Sequence, residues 1–454
     1  MPQDLLTEIY NVFDPFDPPP KEAYVNCEEV RGNWNVLREL GRKIIRSNHS
    51  TCQLYTGHRG VGKSTELLQL KEELEKEKYF VVYFAANDED IDIEDTEYAD
   101  ILLACTKHLV QTIKLEDKNP LKNLSNWLKQ RTQSFQDLLL TKLDFEELTL
   151  EQQVSQFAKI TATLKTQPDN RRQIRDRINA NAPSLLEALN QFITAAKKSL
   201  PDNYQDLVLI VDNLDRIVER QKAENQPNNY DEIFIKRHEQ MRGLACHVIY
   251  TVPIAMVYSE RCAQLQNNYD ETDVLPMIMV SDRDNQQHEP GLAKVREMIA
   301  KRISYVKLDD DSNAGINLAQ NLDTQVFESA ETLEQLCLMS GGHVRLLMQM
   351  MQKALDWTDD LPISQRSVRI AIEEAKDAFS NTIFEHQWEL LRQVANSKEI
   401  PNEEDNKEYP RLLASRCILE YRYYDANYKL NRWYDVHPLV RDLDKFNSSS
   451  TAAS

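Results

Sequence analysis

The stretch Gly57-His58-Arg59-Gly60-Val61-Gly62-Lys63-Ser64 fits the pattern G-x-x-x-x-G-K-[ST] of a loop that wraps phosphates. The chain holds ten glycines in 454 residues, and three of them fall inside this stretch. Ordinary glycine usage is roughly 7%, so the spacing is no by-product of composition. The chemistry also fits. Glycines let successive backbone N–H groups turn inward, and the start of a following helix favours negative charge. Lys63 is placed to reach the β/γ-phosphates, and the Ser64 hydroxyl to ligate Mg²⁺. The whole segment from Gly57 through Thr65 is therefore taken as the phosphate-binding segment.

The surroundings match the motif. Residues 50–56 form a short β-prone run before the loop. After it, Leu67, Leu68, Leu70 and Leu74 recur at helical spacing. Strand, glycine loop and helix are the setting that a P-loop requires.

Length and charge bound the rest. A chain of 454 residues suggests about two to four domains. The net charge of −19 argues against a nucleic-acid coat protein. Cys27, Cys52, Cys105, Cys246, Cys262, Cys337 and Cys417 show no C-x-x-C spacing, which reads as reduced thiols in a cytoplasmic protein. No signal peptide is visible, and no apolar run approaches ~18 residues, so no membrane contact is expected.

The expected fold is α/β: a parallel sheet flanked by helices. Residues 1–23 are expected as an extended lead-in ending in Asp14-Pro15-Phe16-Asp17-Pro18-Pro19-Pro20. Residues 24–290 form the P-loop domain, with a helical insert at about 100–200. Its strands are read at 50–56, 79–85, 206–212, 246–252 and 275–280. Residues 291–381 make a helical lid, 382–445 a winged-helix-like module, and 446–454 a disordered tail.

A P-loop needs an acid at the end of a neighbouring strand to orient its metal. Asp212 closes the apolar run Asp206–Asp212 and is the magnesium candidate beside Ser64. Asp215 follows in Asn213-Leu214-Asp215-Arg216 and is the candidate to position or deprotonate water. Its alternative role is a helix cap. Thr251 ends the fourth strand, where a hydroxyl can meet the γ-phosphate or water, or simply close a strand. Gly341-Gly342-His343-Val344-Arg345 opens a strong helix that can bring Arg345 over the phosphates, or it is a tight turn between helices.

These pieces together resemble the P-loop ATPases of the AAA+/STAND assemblage. Gly57–Thr65 looks like their Walker A motif. Leu209–Arg216 resembles Walker B and is similar to the KAP form, with Asn213 in place of an Asp. Thr251 matches a sensor 1 position, and Gly341–Arg345 resembles sensor 2. Residues 409–443 look like the winged-helix module that often follows the lid. The whole is also similar to bacterial, notably cyanobacterial, stand-alone ATPases. The resemblance implies ATP and Mg²⁺, hydrolysis, a conformational switch, and a homo-oligomer with an arginine finger from a neighbour. Arg296 and Arg302 are candidates for that finger.

Other features invite simpler readings. Asp88-x-Asp90-x-Asp92 imitates a calcium loop, but Ile93 stands where glycine is needed and Ala99 where glutamate is needed. The acidic run 87–97 is then a solvated loop or a docking surface for a basic partner. Arg171-Arg172-Gln173-Ile174-Arg175-Asp176-Arg177 is expected as an exposed helix face rather than a contact for nucleic acid or an acidic partner. His437 reads as a packed turn residue. There is no guanine-reading N-K-x-D segment.

Three functions remain open. The first is a signalling ATPase whose output passes to a separately encoded effector protein. The second is a DNA-associated AAA+ regulator using the winged helix, with nucleic acid possible but not favoured. The third is a low-turnover ATP-binding scaffold.

Overall fold

Apolar runs bounded by turn residues set the framework, and the chain divides into two compact units. One comprises residues 1–35, 57–66 and 275–454; the other comprises 36–56 and 67–274. The structure is a computed structural model. It describes residues 5–113, 119–130, 155–200, 204–221, 227–308, 313–401, 408–425 and 427–448. Part of the expected helical insert and most of the expected tail, 449–454, lie outside the described residues.

In chain order, α1 is Leu5–Val12, β1 Cys52–Gly57, α2 Lys63–Lys76 and β2 Tyr79–Ala85. Next come α3 Tyr98–Thr112, α4 Asn119–Lys129, α5 Gln156–Thr166 and α6 Pro168–Ser199. The strands β3 Asp206–Asp212, β4 His247–Thr251 and β5 Glu271–Leu275 complete the sheet. Then follow α7 Glu289–Ile303, α8 Ala330–Met339, α9 Val344–Asp356, α10 Gln365–Ser380, α11 Gln387–Ser397 and α12 Glu408–Ala414. The hairpin β6 Ile418–Tyr424 and β7 Leu430–Val436 precedes α13 Pro438–Arg441.

The sheet order is β2-β3-β4-β1-β5. The pairs β1/β4, β2/β3 and β3/β4 are parallel. Parallel strands buried on both faces read as continuous apolar runs, and β1, β3 and β4 are buried almost throughout. One hydrophobic cluster joins strand residues such as Leu209 and Val211 to Leu103 of α3 and Ile178 and Phe192 of α6. The helical insert thus shares the core of the sheet. The fifth strand is not the expected run 275–280: it lies upstream, at Glu271–Leu275, and ends where that run begins. Pro276 has no N–H for a ladder, and the amides of Met277 and Met279 bond instead to Glu420 O and Val30 O.

Two surface features of the sequence turn out to be one ion-pair cluster with buried arginines. Arg171 and Arg175 of α6 are only 6% and 5% exposed. Arg171 bonds Asp92 at 2.8 Å and Asp95 at 2.9 Å. Arg175 bonds Asp95 at 3.0 Å and Asp100 at 2.6 Å. Asp90 takes Lys107 and His108. So Arg171 and Arg175 are no exposed face, and the acids they hold are engaged within the chain, while Asp88 and Glu94 stay exposed. The packing of α6 on α3 brings the two charge runs together. Burial alone would raise the Asp95 carboxyl, but bonds from Arg171 and Arg175 outweigh it and hold the group below its usual range.

The lead-in is also corrected. Residues 5–12 are helical, because Leu5, Ile9 and Phe13 share a helical face, and Ile9 and Phe13 are fully buried. α1 packs on α7 and α9. Among the described residues of the lead-in, the proline-rich stretch 14–20 stays non-helical. Among the described residues, no helix is long and apolar enough to cross a membrane.

Removing Arg175 leaves the buried Asp100 carboxylate without its ion pair. Arg175→Ala is expected to lower stability by about 3–5 kcal/mol, the cost of an uncompensated buried charge. The urea midpoint checks this. A change below about 1 kcal/mol would show that the cluster does not anchor α6 to α3.

Candidate functional site

The loop is built as its sequence demands. β1 ends at Gly57, a turn closes with Val61 N–H donating to His58 O at 3.1 Å, and α2 opens at Lys63. Gly60 (φ +92°) and Gly62 (φ +108°) adopt backbone conformations that side chains rarely take. A Cβ on Gly60 would lie 2.7 Å from both Arg345 Cβ and His343 Cε1, so the loop is also glycine by close approach. The Lys63 ammonium donates to Gly57 O at 2.9 Å and His58 O at 3.1 Å, which holds it across the loop. Ser64 and Thr65 are half-buried in the first turn of α2, where helix N–H groups have no partner within the helix.

The outer side of the loop is clasped residue by residue within its own unit. His58 Nε2 accepts from Glu420 N at 3.1 Å, so Nδ1 carries the proton and donates to Leu413 O at 3.0 Å. Arg59 O accepts from His343 Nε2–H at 2.7 Å, while His343 Nδ1 caps α9 by accepting from Leu346 N. Gly60 O accepts from Arg345 N at 3.0 Å. Val61 O accepts from Arg31 Nη2 at 2.8 Å, and Arg31 Nη1 donates to Pro276 O. These roles require neutral imidazoles. Burial pushes His58 down to about 3. Burial, with the nearby Arg416 charge, holds His343 well below its usual range. His437 is a packed turn residue, as expected: it caps α13 through Leu439 N and is pushed by burial to about 3.

Arg345 reaches the loop through its backbone. Its side chain turns to the N-terminal segment, where Nε donates to Pro15 O at 3.1 Å and the guanidinium lies 5.5 Å from the Phe16 ring. Arg302 is similarly occupied by Val12 O at 2.7 Å, and Arg296 by Glu334 at 2.9 Å. The clasp itself escaped sequence reading. His343 lies in the stretch Gly341–Arg345 but had no role of its own there, Arg31 carries no pattern that marks it, and Leu413 and Glu420 act through backbone atoms.

The other candidates belong to the second unit. Asp212 is 1% exposed and ends β3; its Oδ2 accepts from Tyr83 OH at 2.8 Å and its Oδ1 from Asn213 N at 2.7 Å. Asn213 is left-handed (φ +64°), which turns the chain at once into the helical turn Leu214–Arg216. That turn carries Asp215, half-buried. The Thr251 hydroxyl accepts from Leu214 N at 2.9 Å, so it pins the turn that presents Asp215. Asp212 and Thr251 thus end adjacent strands at the carboxyl edge of the sheet, where parallel α/β proteins place ligands. Among the described residues, no group of three His, Cys, Asp or Glu side chains is placed to hold a metal.

The sheet, the glycine loop after β1 and the helix opening at Lys63 give the chain a P-loop α/β fold. No family model matches the sequence. No curated protein matches it either. Three solved structures align along nearly the whole chain. The Aeropyrum pernix ORC1 protein in complex with DNA has 11% identity over 95% of this chain and 96% of that one, with a TM-score of 0.41. Cdc6p from Pyrobaculum aerophilum has 12% identity over 96% of each chain, at 0.39. Drosophila ORC bound to DNA has 11% identity over 98% of this chain and 91% of that one, at 0.36. At such scores the likeness carries no functional argument, which rests instead on the residues.

The neutral histidines make a pH prediction. Their folded pKa values lie below the unfolded value of about 6.5. Their contribution is therefore present above that pH and is lost as pH falls toward 3, by up to about 1.4 kcal/mol per pH unit for each imidazole. Thermal stability is expected to drop between pH 7 and 5. His58→Gln keeps one donor and one acceptor, so it should make that slope shallower by up to one proton. An unchanged slope would mean that His58 titrates normally.

Proposed function

We propose that the chain binds ATP with Mg²⁺ at Gly57–Thr65 and hydrolyses it as a conformational switch acting on a partner protein. The clasp carries this reading: residues 58–61 are each bonded to distant parts of the same unit, so a change in the loop is felt at α9, α12 and β6. A scaffold that merely holds nucleotide has no need of this coupling.

The residues suit the ligand. The glycine turn leaves room for phosphates, Lys63 supplies a cation, and the N–H groups of the first turn of α2, which have no partner within the helix, favour anions. Ser64 offers Mg²⁺ a hydroxyl oxygen, and Asp212 is assigned a carboxylate oxygen from its strand-end position. Bound Mg²⁺ would neutralise phosphate charge. Asp215 is assigned to orient or deprotonate the attacking water, and Thr251 to fix the turn that carries it. Assembly into a homo-oligomer and a cytoplasmic setting belong to this same proposal.

Lys63→Ala is expected to abolish turnover. It should also remove the thermal stabilisation by ATP and Mg²⁺, which for the native chain amounts to about 2.7 kcal/mol at a hundredfold excess over Kd. Equal ATPase rates for both proteins would end the proposal. Turnover retained in Asp215→Asn but lost in Asp212→Asn would move the water-activating role elsewhere.

A DNA-associated role is the second reading, favoured by the β6–β7 hairpin. Its tip carries Tyr428, 88% exposed, with the exposed Lys429 and Arg432 nearby. Filter binding to duplex DNA at low salt tests it. Binding that weakens on combined Tyr428→Ala, Lys429→Ala and Arg432→Ala substitution supports this reading, and absence of binding removes it.

A further inference from the structure

β2 and β3 run parallel, with Tyr83 opposite Ile210 and Ala85 opposite Asp212. Residues two apart on a strand share a face, so the side chains of Tyr83, Ala85 and Asp212 lie on one face of the sheet. Ala85 sets only a methyl group opposite the acid. Tyr83, one pair back, crosses that gap on the diagonal, a span within the reach of an aromatic side chain. Its hydroxyl donates to Asp212 Oδ2 at 2.8 Å.

The choice of acceptor sets Tyr83 apart. Three more deeply buried tyrosines of the same unit, Tyr230, Tyr250 and Tyr269, donate to the backbone carbonyls of Ile217, Met241 and Phe234. Tyr83 is only half-buried, yet its hydroxyl goes to a carboxylate. A bond to an ionised acceptor is roughly twice as strong as a neutral one. The other oxygen of the acid is held as well, because Asp212 Oδ1 accepts from Asn213 N at 2.7 Å. A carboxylate bonded through one oxygen still turns about its bond to Cβ. One bonded through both, by donors on different segments of chain, keeps its plane. These two bonds use about two of the roughly four acceptor positions of the group.

We infer that Tyr83 is a positioning residue for magnesium: its hydroxyl holds the Asp212 carboxylate in one fixed orientation for the metal. This rests on the reading of Asp212 as the acid of the ATP and Mg²⁺ site. In this role Tyr83 acts only through Asp212. Without the hydroxyl the carboxylate keeps the Asn213 amide but is free to rotate about it, and the metal has to fix the group as it binds.

The Mg²⁺ dependence of the thermal protection that ATP gives the full chain tests this, in the native protein, Tyr83→Phe, Asp212→Asn and the double variant. Tyr83→Phe keeps the ring and removes only the hydroxyl. Its half-saturating Mg²⁺ concentration is expected to rise by about 10-fold, the low end for a hydrogen bond to a charged group. The ATP concentration needed for half protection in EDTA should stay within about threefold of native, and turnover should recover at high Mg²⁺. A residue that acts through Asp212 adds nothing once that carboxylate is gone, so the double variant should need no more Mg²⁺ than Asp212→Asn. An unchanged or lower Mg²⁺ requirement in Tyr83→Phe overturns the inference. So does equal weakening with and without Mg²⁺, which marks a merely structural role, and so does a double variant in which the two effects add. Failure of the underlying reading looks different: ATP and Mg²⁺ would protect the native chain no better than Lys63→Ala, or Asp212→Asn would keep the native Mg²⁺ requirement. Either result removes this inference too.

Discussion

A glycine loop has almost no side chains by which packing can hold it, so its shape must be fixed through its backbone. In this protein the carbonyls of Arg59, Gly60 and Val61 accept, in turn, from a histidine ring, an amide and a guanidinium. Peptide units are planar, and a carbonyl turned to one side sends its N–H roughly to the other. Donors on the carbonyls of Arg59 and Val61 therefore bias the amides of Gly60 and Gly62 inward, where an anion needs them, while the Val61 amide closes the turn onto His58 O. His58 completes the arrangement by using both ring nitrogens on backbone groups of the C-terminal module. The loop is pre-shaped by its own unit before any ligand arrives.

That shape depends on keeping charge out of the clasp. His58, His343 and His437 are all fully buried, and each uses a ring nitrogen as an acceptor. A protonated ring would lose its acceptor and bring an unpaired charge into the core. Several charges buried elsewhere in the chain are paired. Arg171 and Arg175 take aspartates, and Lys398 takes Asp435.

What the sequence made legible follows from the range of the interactions involved. β2 and β3 agree residue for residue with the apolar runs 79–85 and 206–212, because strand burial is written in consecutive residues. The phosphate loop was equally plain, since its glycines and lysine are contiguous. The clasp was not, because all its loop bonds except the one from Arg31 join residues 284 to 362 positions apart, and several use backbone atoms that leave no compositional trace. The acidic and basic runs were each visible, but only the packing of α6 on α3 reveals that they neutralise one another. α1 was hidden by the prolines that follow it, which draw the eye to an extended chain.

The clasp also constrains how the C-terminal module can be dissected. Deleting residues 383–454 takes away Leu413 O and Glu420 N, and so leaves the buried His58 ring without either partner. An unsatisfied buried polar group costs about 1–3 kcal/mol, and here the loss falls on the phosphate loop. A truncated chain that failed to bind DNA would therefore also have lost the support of its ATP site, and the two effects would be inseparable. Substitutions at the hairpin tip leave Leu413, Glu420 and His58 in place. They separate the module's outward surface from its inward one, which shapes the loop.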